Sequence, residues 1–333
     1  MKISAAAVLI VSLQVLPASA SAQDARAFER AYGRQDWSAA AQAGEAWARR
    51  EPDNPIAAFN TACALARAGQ AETALTWLER AGRAGFAGTR SIDEDPDLAP
   101  ARALAGFEAA VAGIRSNRAR MFGEFQAEAE RSEILTILPP GDTGGPRPLL
   151  VVLHGYGGRP APHADLYRRV ARELGAILAA PSAVRPSPRG RGYSWTFRDE
   201  AEWWVLRAIE RLTAEHEIDP DRVFVAGFSQ GAGVALSAAL AHPERFAGVL
   251  AIAGHYEAHR MRPRAEAAPR VYLLAGQKDP AVVGYRTAEA DLRGAGLDVR
   301  LRVIPGLGHE FPPRANTELR KAFGFLLPRA SGR

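Results

Sequence analysis

Cysteine is almost absent from this chain: Cys63 is the only one in 333 residues. No internal disulfide can form, so the fold must be held by its core. No cysteine lies near the N-terminus either, which excludes lipid attachment there. Cys63 stands in the apolar stretch Asn60 to Ala66 and reads as a buried thiol packed like a small apolar residue, with pairing between chains as the other use of a lone cysteine. Long apolar runs are missing too. The N-terminal run from Ile3 to Leu16 is shorter than the ~20 residues that a spanning helix needs, so no stable membrane span is expected. Also missing is any run that interleaves basic residues with aromatics. The net charge of +5 comes almost entirely from arginines spread along the chain, which argues against a nucleic-acid partner. With 47% apolar and 24% charged residues, disordered and collagen-like classes are excluded as well.

What is present begins with a leader pattern. Met1-Lys2 gives a basic start, Ile3 to Leu16 an apolar middle, and Pro17-Ala18-Ser19-Ala20-Ser21-Ala22-Gln23 a small-residue cleavage site. That is the layout of a secretory signal peptide over residues 1–22, cut after Ala22 or alternatively after Ala20, and it predicts a periplasmic or secreted protein. Two textures follow. Residues 23–118 are Ala-rich with helical spacing and no strand signal, whereas within residues 119–333 the stretch from 148 on alternates β-branched apolar runs with amphipathic helices. Two domains are expected.

In the first, Tyr32-Gly33 through Asp36-Trp37 is echoed by Ala68-Gly69 through Glu72-Thr73, and the two glycines stand 36 residues apart. Each block sets a Gly at a turn and an acid at the next helix start. This resembles tetratricopeptide repeats, whose period is about 34. Only two copies are visible, with a capping helix expected over 98–116, and such repeats imply a possible protein or peptide partner. A helical hairpin without a binding groove is the alternative. Residues 122–137 are expected to pass as a strand or bridge into the second domain.

The second domain alternates strand and helix, which implies an α/β fold: a mostly parallel sheet with helices on both faces. Its most informative stretch is Gly227-Phe228-Ser229-Gln230-Gly231, which ends the apolar run Val223 to Ala226 and opens an Ala-rich helix. A serine on such a turn stands exposed above the sheet and reads as a nucleophile. A serine hydroxyl needs a base, and the base needs an acid to orient it. Asp279 follows the strand Val271 to Gly276, and His309 follows the strand Val299 to Ile304, in the order Ser, Asp, His. Glu257 is a fallback acid. An oxyanion hole needs two backbone N–H groups, which Gln230 and Tyr156 would supply, the latter from His154-Gly155-Tyr156-Gly157-Gly158 directly after the strand Leu149 to Leu153. His154 itself is expected to bond within its loop.

Residues 148–327 resemble the α/β-hydrolase superfamily, with the His-Gly-Tyr-Gly and Gly-Phe-Ser-Gln-Gly segments most similar to its phospholipase/carboxylesterase and dienelactone hydrolase branch. The resemblance implies the same hole residues and the Ser229-His309-Asp279 triad. Dienelactone hydrolases carry a cysteine nucleophile, so serine here favours ester over lactone hydrolysis. The Arg/Pro-rich insert from Arg185 to Phe197 departs from a minimal carboxylesterase and would wall a substrate pocket with Trp195 or Tyr193. The expected function is an exported serine esterase acting through an acyl-enzyme on a small-molecule or polymer ester, with no metal or cofactor. A peptidase of related fold and a catalytically inactive repeat-based binding protein remain open.

Overall fold

The computed structural model describes residues 20–141, 144–188, 190–257, 261 and 269–327. Of the expected leader, only Ala20, Ser21 and Ala22 fall within these, at the start of the first helix; the rest lies outside the described residues. Among the described residues no helix is long and apolar enough to cross a membrane. The chain divides into two compact units, Met1–Glu124 and Phe125–Arg333.

The first unit is helical: α1 (Ala20–Gly33), α2 (Trp37–Arg50), α3 (Pro55–Arg67), α4 (Ala71–Arg83), α5 (Thr89–Glu94), a 3₁₀ turn Pro96–Leu98, α6 (Ala99–Arg102) and the start of α7 (Phe107–Arg131). Sequence sets the helix starts. Asp36 caps α2 by accepting from the Ala39 N–H at 3.1 Å, and Asn54 caps α3 with Pro55 as its first helical residue. Gly69 takes φ +81 in the α3–α4 turn, while in the α1–α2 turn the positive φ falls to Gln35. Helix α3 is buried from Ala57 to Ala66, and Cys63 is a free thiol within it whose pKa burial pushes up. Asp97 from the 3₁₀ turn accepts from the Tyr32 hydroxyl and pairs with Arg67 at 3.6 Å.

Two expectations need correction. The helix foreseen over 98–116 is interrupted over 103–106: α6 ends at Arg102, the Leu104 N–H donates to the Ala101 carbonyl and the Phe107 N–H to the Leu104 carbonyl, each at 3.1 Å, and these tighter turns break the ladder before α7 begins at Phe107. The strand foreseen from residue 122 is helix as far as Arg131, and only Ile134–Ile137 is extended. Phe125 and Ala129, both buried and four apart, show the helical period that overrides the aromatic character of the stretch.

The second unit carries β1 (Ile134–Ile137), β2 (Arg147–Leu153), β3 (Ile177–Pro181), β4 (Arg185–Pro186), β5 (Tyr193–Ser194), β6 (Ile218–Phe228), β7 (Gly248–Ile252), β8 (Arg270–Gly276) and β9 (Val299–Ile304). Seven form one sheet in the order β1-β3-β2-β6-β7-β8-β9, parallel except for β1 against β3, while β4 and β5 make a separate hairpin. The helices are α8 (Pro160–Asp165), α9 (Arg168–Glu173), α10 (Arg198–Glu215), α11 (Gln230–Ala241), α12 (Ala281–Gly294) and α13 (Ala315–Leu326).

Strands buried on both faces read as unbroken apolar runs, which is why Ile177–Pro181 and Gly248–Ile252 are buried throughout. Alternate residues Leu150, Val152, Phe224, Ala226, Leu250 and Ile252 pack with Tyr167, Val170, Leu319, Phe323 and Leu326 from α9, α13 and the residue before α9. Burying one such side chain stabilises by about 1.5–3 kcal/mol. This is the α/β-hydrolase arrangement. Parallel strands bring the residues that follow β2, β6, β8 and β9 to one edge of the sheet.

Candidate active site

Strand β6 ends at Phe228 and α11 starts at Gln230, so Ser229 alone makes the turn, at φ 53 and ψ −117. A non-glycine residue there stores about 1–3 kcal/mol of strain, which the surroundings must impose. They do so by crowding. A Cβ on Gly227 would lie 2.3 Å from the Gly231 oxygen, and one on Gly231 would lie 2.3 Å from the Leu153 oxygen. The Ser229 N–H donates to the Ile252 carbonyl at 2.9 Å, tying the turn to β7.

Two neighbouring loops meet this serine. Gly276 closes β8 with its Cα against the loop after β9, since a Cβ would stand 2.3 Å from the Leu307 oxygen. The Lys278 N–H donates to that same Leu307 carbonyl at 2.9 Å. Docked in this way, the loops set Asp279 Oδ2 2.9 Å from His309 Nδ1, and His309 Nε2 2.9 Å from Ser229 Oγ. Asp279 is 2% exposed, and its Oδ1 accepts from the Ala281 N–H at 2.9 Å, which leaves Oδ2 for the imidazole. A carboxylate only accepts, so His309 carries its proton on Nδ1 and offers the Nε2 lone pair to the hydroxyl.

Gly155 follows His154 beside the serine: a Cβ there would be 3.3 Å from Ser229 Cβ. His154 is 1% exposed; its Nε2 accepts from the Ala183 N–H at 3.1 Å, so Nδ1 carries the proton and donates to the Gly155 carbonyl at 2.8 Å. Burial holds its pKa below the ordinary histidine value. Gln230 opens α11, where the N–H of a first helical residue has no intrahelical acceptor.

The hairpin β4–β5 lies against the 154–158 loop through Gly157 N–H to the Tyr193 carbonyl at 2.9 Å and Tyr193 N–H to the Gly158 carbonyl at 3.1 Å. The side chains of Tyr156 and Tyr193 are exposed, whereas Trp195 is buried with its indole N–H on the His154 carbonyl at 2.9 Å. Glu257 pairs with Arg198 at 3.1 Å. Among the described residues no cluster of three metal-ligating side chains occurs.

Some features carried no sequence signal. The bidentate pair of Arg185 with buried Glu200, at 2.7 Å for both bonds, fastens the base of the hairpin to α10. Behind His309 stand Phe228, 5.5 Å away between ring centroids, then Phe311, Tyr167 and His163. Neither could be read from spacing: Arg185 and Glu200 lie on different elements, and the aromatic row joins segments far apart in the chain.

The phospholipase/carboxylesterase family profile matches residues 205–326, which include Ser229, Asp279 and His309. NocK of Nocardia uniformis subsp. tsuyamanensis, which carries an esterase name, is 32% identical over 171 residues, covering 46% of this chain and 46% of NocK. The rice protein (Oryza sativa subsp. japonica) named "Probable inactive carboxylesterase Os04g0669700" is 31% identical over 204 residues, 52% of this chain and 82% of its own length. A crystal structure of a phospholipase/carboxylesterase from Dyadobacter fermentans DSM 18053 is 20% identical, covers 57% of this chain and 95% of that one, and gives a TM-score of 0.46. The chain thus spans less than half of NocK but most of the rice protein.

Proposed function

Because the chain belongs to the phospholipase/carboxylesterase family of α/β-hydrolases, we propose that it is a serine esterase in which Ser229 attacks an ester carbonyl. The observation that carries this reading is the hydrogen-bonded row Ser229 Oγ, His309 Nε2, His309 Nδ1, Asp279 Oδ2, each link 2.9 Å. As the Oγ–C bond forms, the hydroxyl proton passes to His309 Nε2 and the carbonyl oxygen becomes an oxyanion facing the Tyr156 and Gln230 N–H groups. Collapse of the tetrahedral species breaks the C–O bond, and the departing alkoxide takes the proton from His309. Water then repeats the sequence on the acyl-enzyme, with His309 again accepting and returning a proton. Asp279 keeps the imidazole in the required tautomer and balances its charge.

The substrate class is a carboxylic ester of a small molecule or polymer. The exposed rings of Tyr156 and Tyr193 would be the ones to touch a bound ester, whereas Trp195 is buried. Residues 1–22 would direct export and be removed, and the helical hairpins of the first unit would form a tetratricopeptide-like module able to hold a protein or peptide. N-terminal sequencing of the secreted protein checks the first point.

The rice relative bears the name of an inactive protein, so retention of activity is the decisive test. Purified protein is treated with a fluorophosphonate probe and then with p-nitrophenyl esters from acetate to palmitate. Labelling at Ser229, turnover of the esters, and a fall of at least about 10⁴-fold in Ser229→Ala are expected. Hydrolysis at the wild-type rate by Ser229→Ala refutes the reading, and turnover of aminoacyl amides in preference to esters would make the protein a peptidase.

A further inference from the structure

Two N–H groups from separate stretches of chain must be aimed at one point to within tenths of an ångström for an oxyanion hole to act. The start of α11 supplies one and the loop after β2 the other, and the two meet directly only through close, non-directional packing at Gly231. We propose that Trp195, in the hairpin insert, is the positioning residue that locks the two halves together; the inference rests on the oxyanion hole assigned above.

The bonds run in both directions from this residue. Both polar atoms of the Gln230 side-chain amide bond the Trp195 main chain: Oε1 accepts from the Trp195 N–H at 2.9 Å and Nε2 donates to the Trp195 carbonyl at 3.0 Å. Trp195 then reaches the other half, its indole N–H donating to the His154 carbonyl at 2.9 Å. That carbonyl belongs to the peptide leading into Gly155 and Tyr156, and it is confined from the α11 side as well, since a Cβ on Gly231 would lie 2.5 Å from it. His154 adds a third brace through the Ala183 N–H, at 3.1 Å. The insert follows the same loop along its flank: Gly192 lies so close that a Cβ would be 2.2 Å from the Gly157 oxygen.

Packing alone does not require this arrangement. A buried ring of any kind would fill the space, whereas the amide pair, which engages both polar atoms of the Gln230 side chain, and the indole bond are directional. Trp195→Phe keeps a ring and drops the indole N–H; Gln230→Met keeps the main-chain N–H at position 230 and drops the side-chain pair.

In each variant kcat, counted per titrated active site, should fall about 10- to 100-fold with KM within twofold, less than the loss of a whole donor. Affinity for a trifluoromethyl ketone, whose adduct with a serine oxygen places an oxyanion in the hole, should fall by the same factor. The double variant should lose less than the product of the two losses, because both remove one linkage. A merely structural role predicts fewer titratable sites, each with wild-type kcat and wild-type ketone affinity, and that result in either folded variant overturns the proposal. Ser229→Ala, measured alongside, separates the two failures. If it remains active, the nucleophile reading has failed; if it is inactive while Trp195→Phe and Gln230→Met are unchanged per site, only the positioning role has failed.

Discussion

His163 should make the hydrolase unit acid-labile, and one substitution isolates the effect. Its ring is 8% exposed, lies 5.3 Å from the Tyr167 ring and 6.3 Å from that of Phe311, and its Nε2 meets no hydrogen-bond partner among the described residues. Burial, with a smaller push from His154, lowers its pKa from 6.5 to about 3. A depressed histidine is neutral when folded and takes up a proton on unfolding, so its contribution is complete above the unfolded pKa and is lost as pH falls towards the folded one. Between pH 8 and pH 5 this loss is about 2 kcal/mol, and by pH 4 about 3 kcal/mol, a sizeable share of a total of roughly 5–15 kcal/mol. His154, shifted the same way by burial, and the carboxylates of Glu51, Asp93 and Glu318, held low by hydrogen bonds, add to the acid sensitivity of the whole chain. These contributions cancel when a His163→Leu variant is compared with the wild type at each pH. Leucine fills nearly the same volume and surrenders no bond at Nε2, so at pH 8 the two should agree within about 1 kcal/mol. At pH 5 the variant should be the more stable by about 2 kcal/mol. Urea unfolding followed by hydrogen exchange in β6 peptides reads the hydrolase unit alone. An equal difference between the two proteins at pH 8 and pH 5 would refute the argument.

Asp279→Asn should preserve the fold and lower kcat/KM by about 10⁴, because the Ala281 N–H claims the amide oxygen and turns the NH₂ towards His309 Nδ1. The imidazole proton then sits on Nε2, where it cannot accept from Ser229; a loss under tenfold in ester hydrolysis, with an unchanged melting curve, contradicts this. Gly231→Ala should destabilise by about 1–3 kcal/mol or more, since its Cβ would meet two carbonyl oxygens, at 2.3 and 2.5 Å. Gly233→Ala, in the same helix with its nearest contact at 3.5 Å, should be neutral or stabilising in the same denaturation assay.

The fold and the three-residue row were largely legible because each depends on short-range order. Val223 to Ala226 and Val271 to Ala275 are unbroken apolar runs that Ser229 and Asp279 follow within a few residues, and His309 follows the alternating strand Val299 to Ile304. The stretch from residue 122 reads locally as a strand or bridge, and the burial of Phe125 and Ala129 that goes with helix α7 is tertiary. The two blocks of the 36-residue echo fall on the α1–α2 and α3–α4 turns, yet the residue that turns left-handed first is Gln35, which no composition rule favours.

A parallel sheet explains which parts of the site sequence can reveal. Being just after a strand is a statement about the chain, but in this topology it is also a statement about space, because the carboxyl ends of β2, β6, β8 and β9 share one edge. Ser229, Asp279 and His309 inherit their convergence from that equivalence. Trp195 does not: it belongs to a hairpin outside the main sheet, so its place is set by the bonds to Gln230 and His154 and not by a strand end. Read locally, an aromatic in an Arg/Pro-rich insert looks like a pocket wall; only the identity of its partners turns it into a brace. Gly231 shows the same division within one motif. Its presence was visible in five letters, but the reason for it, the carbonyls of Leu153 and His154, lies in another strand. The members of the hydrogen-bonded row are therefore marked by position along the chain, whereas the groups that brace the loops around them are marked by partners that only the folded chain supplies.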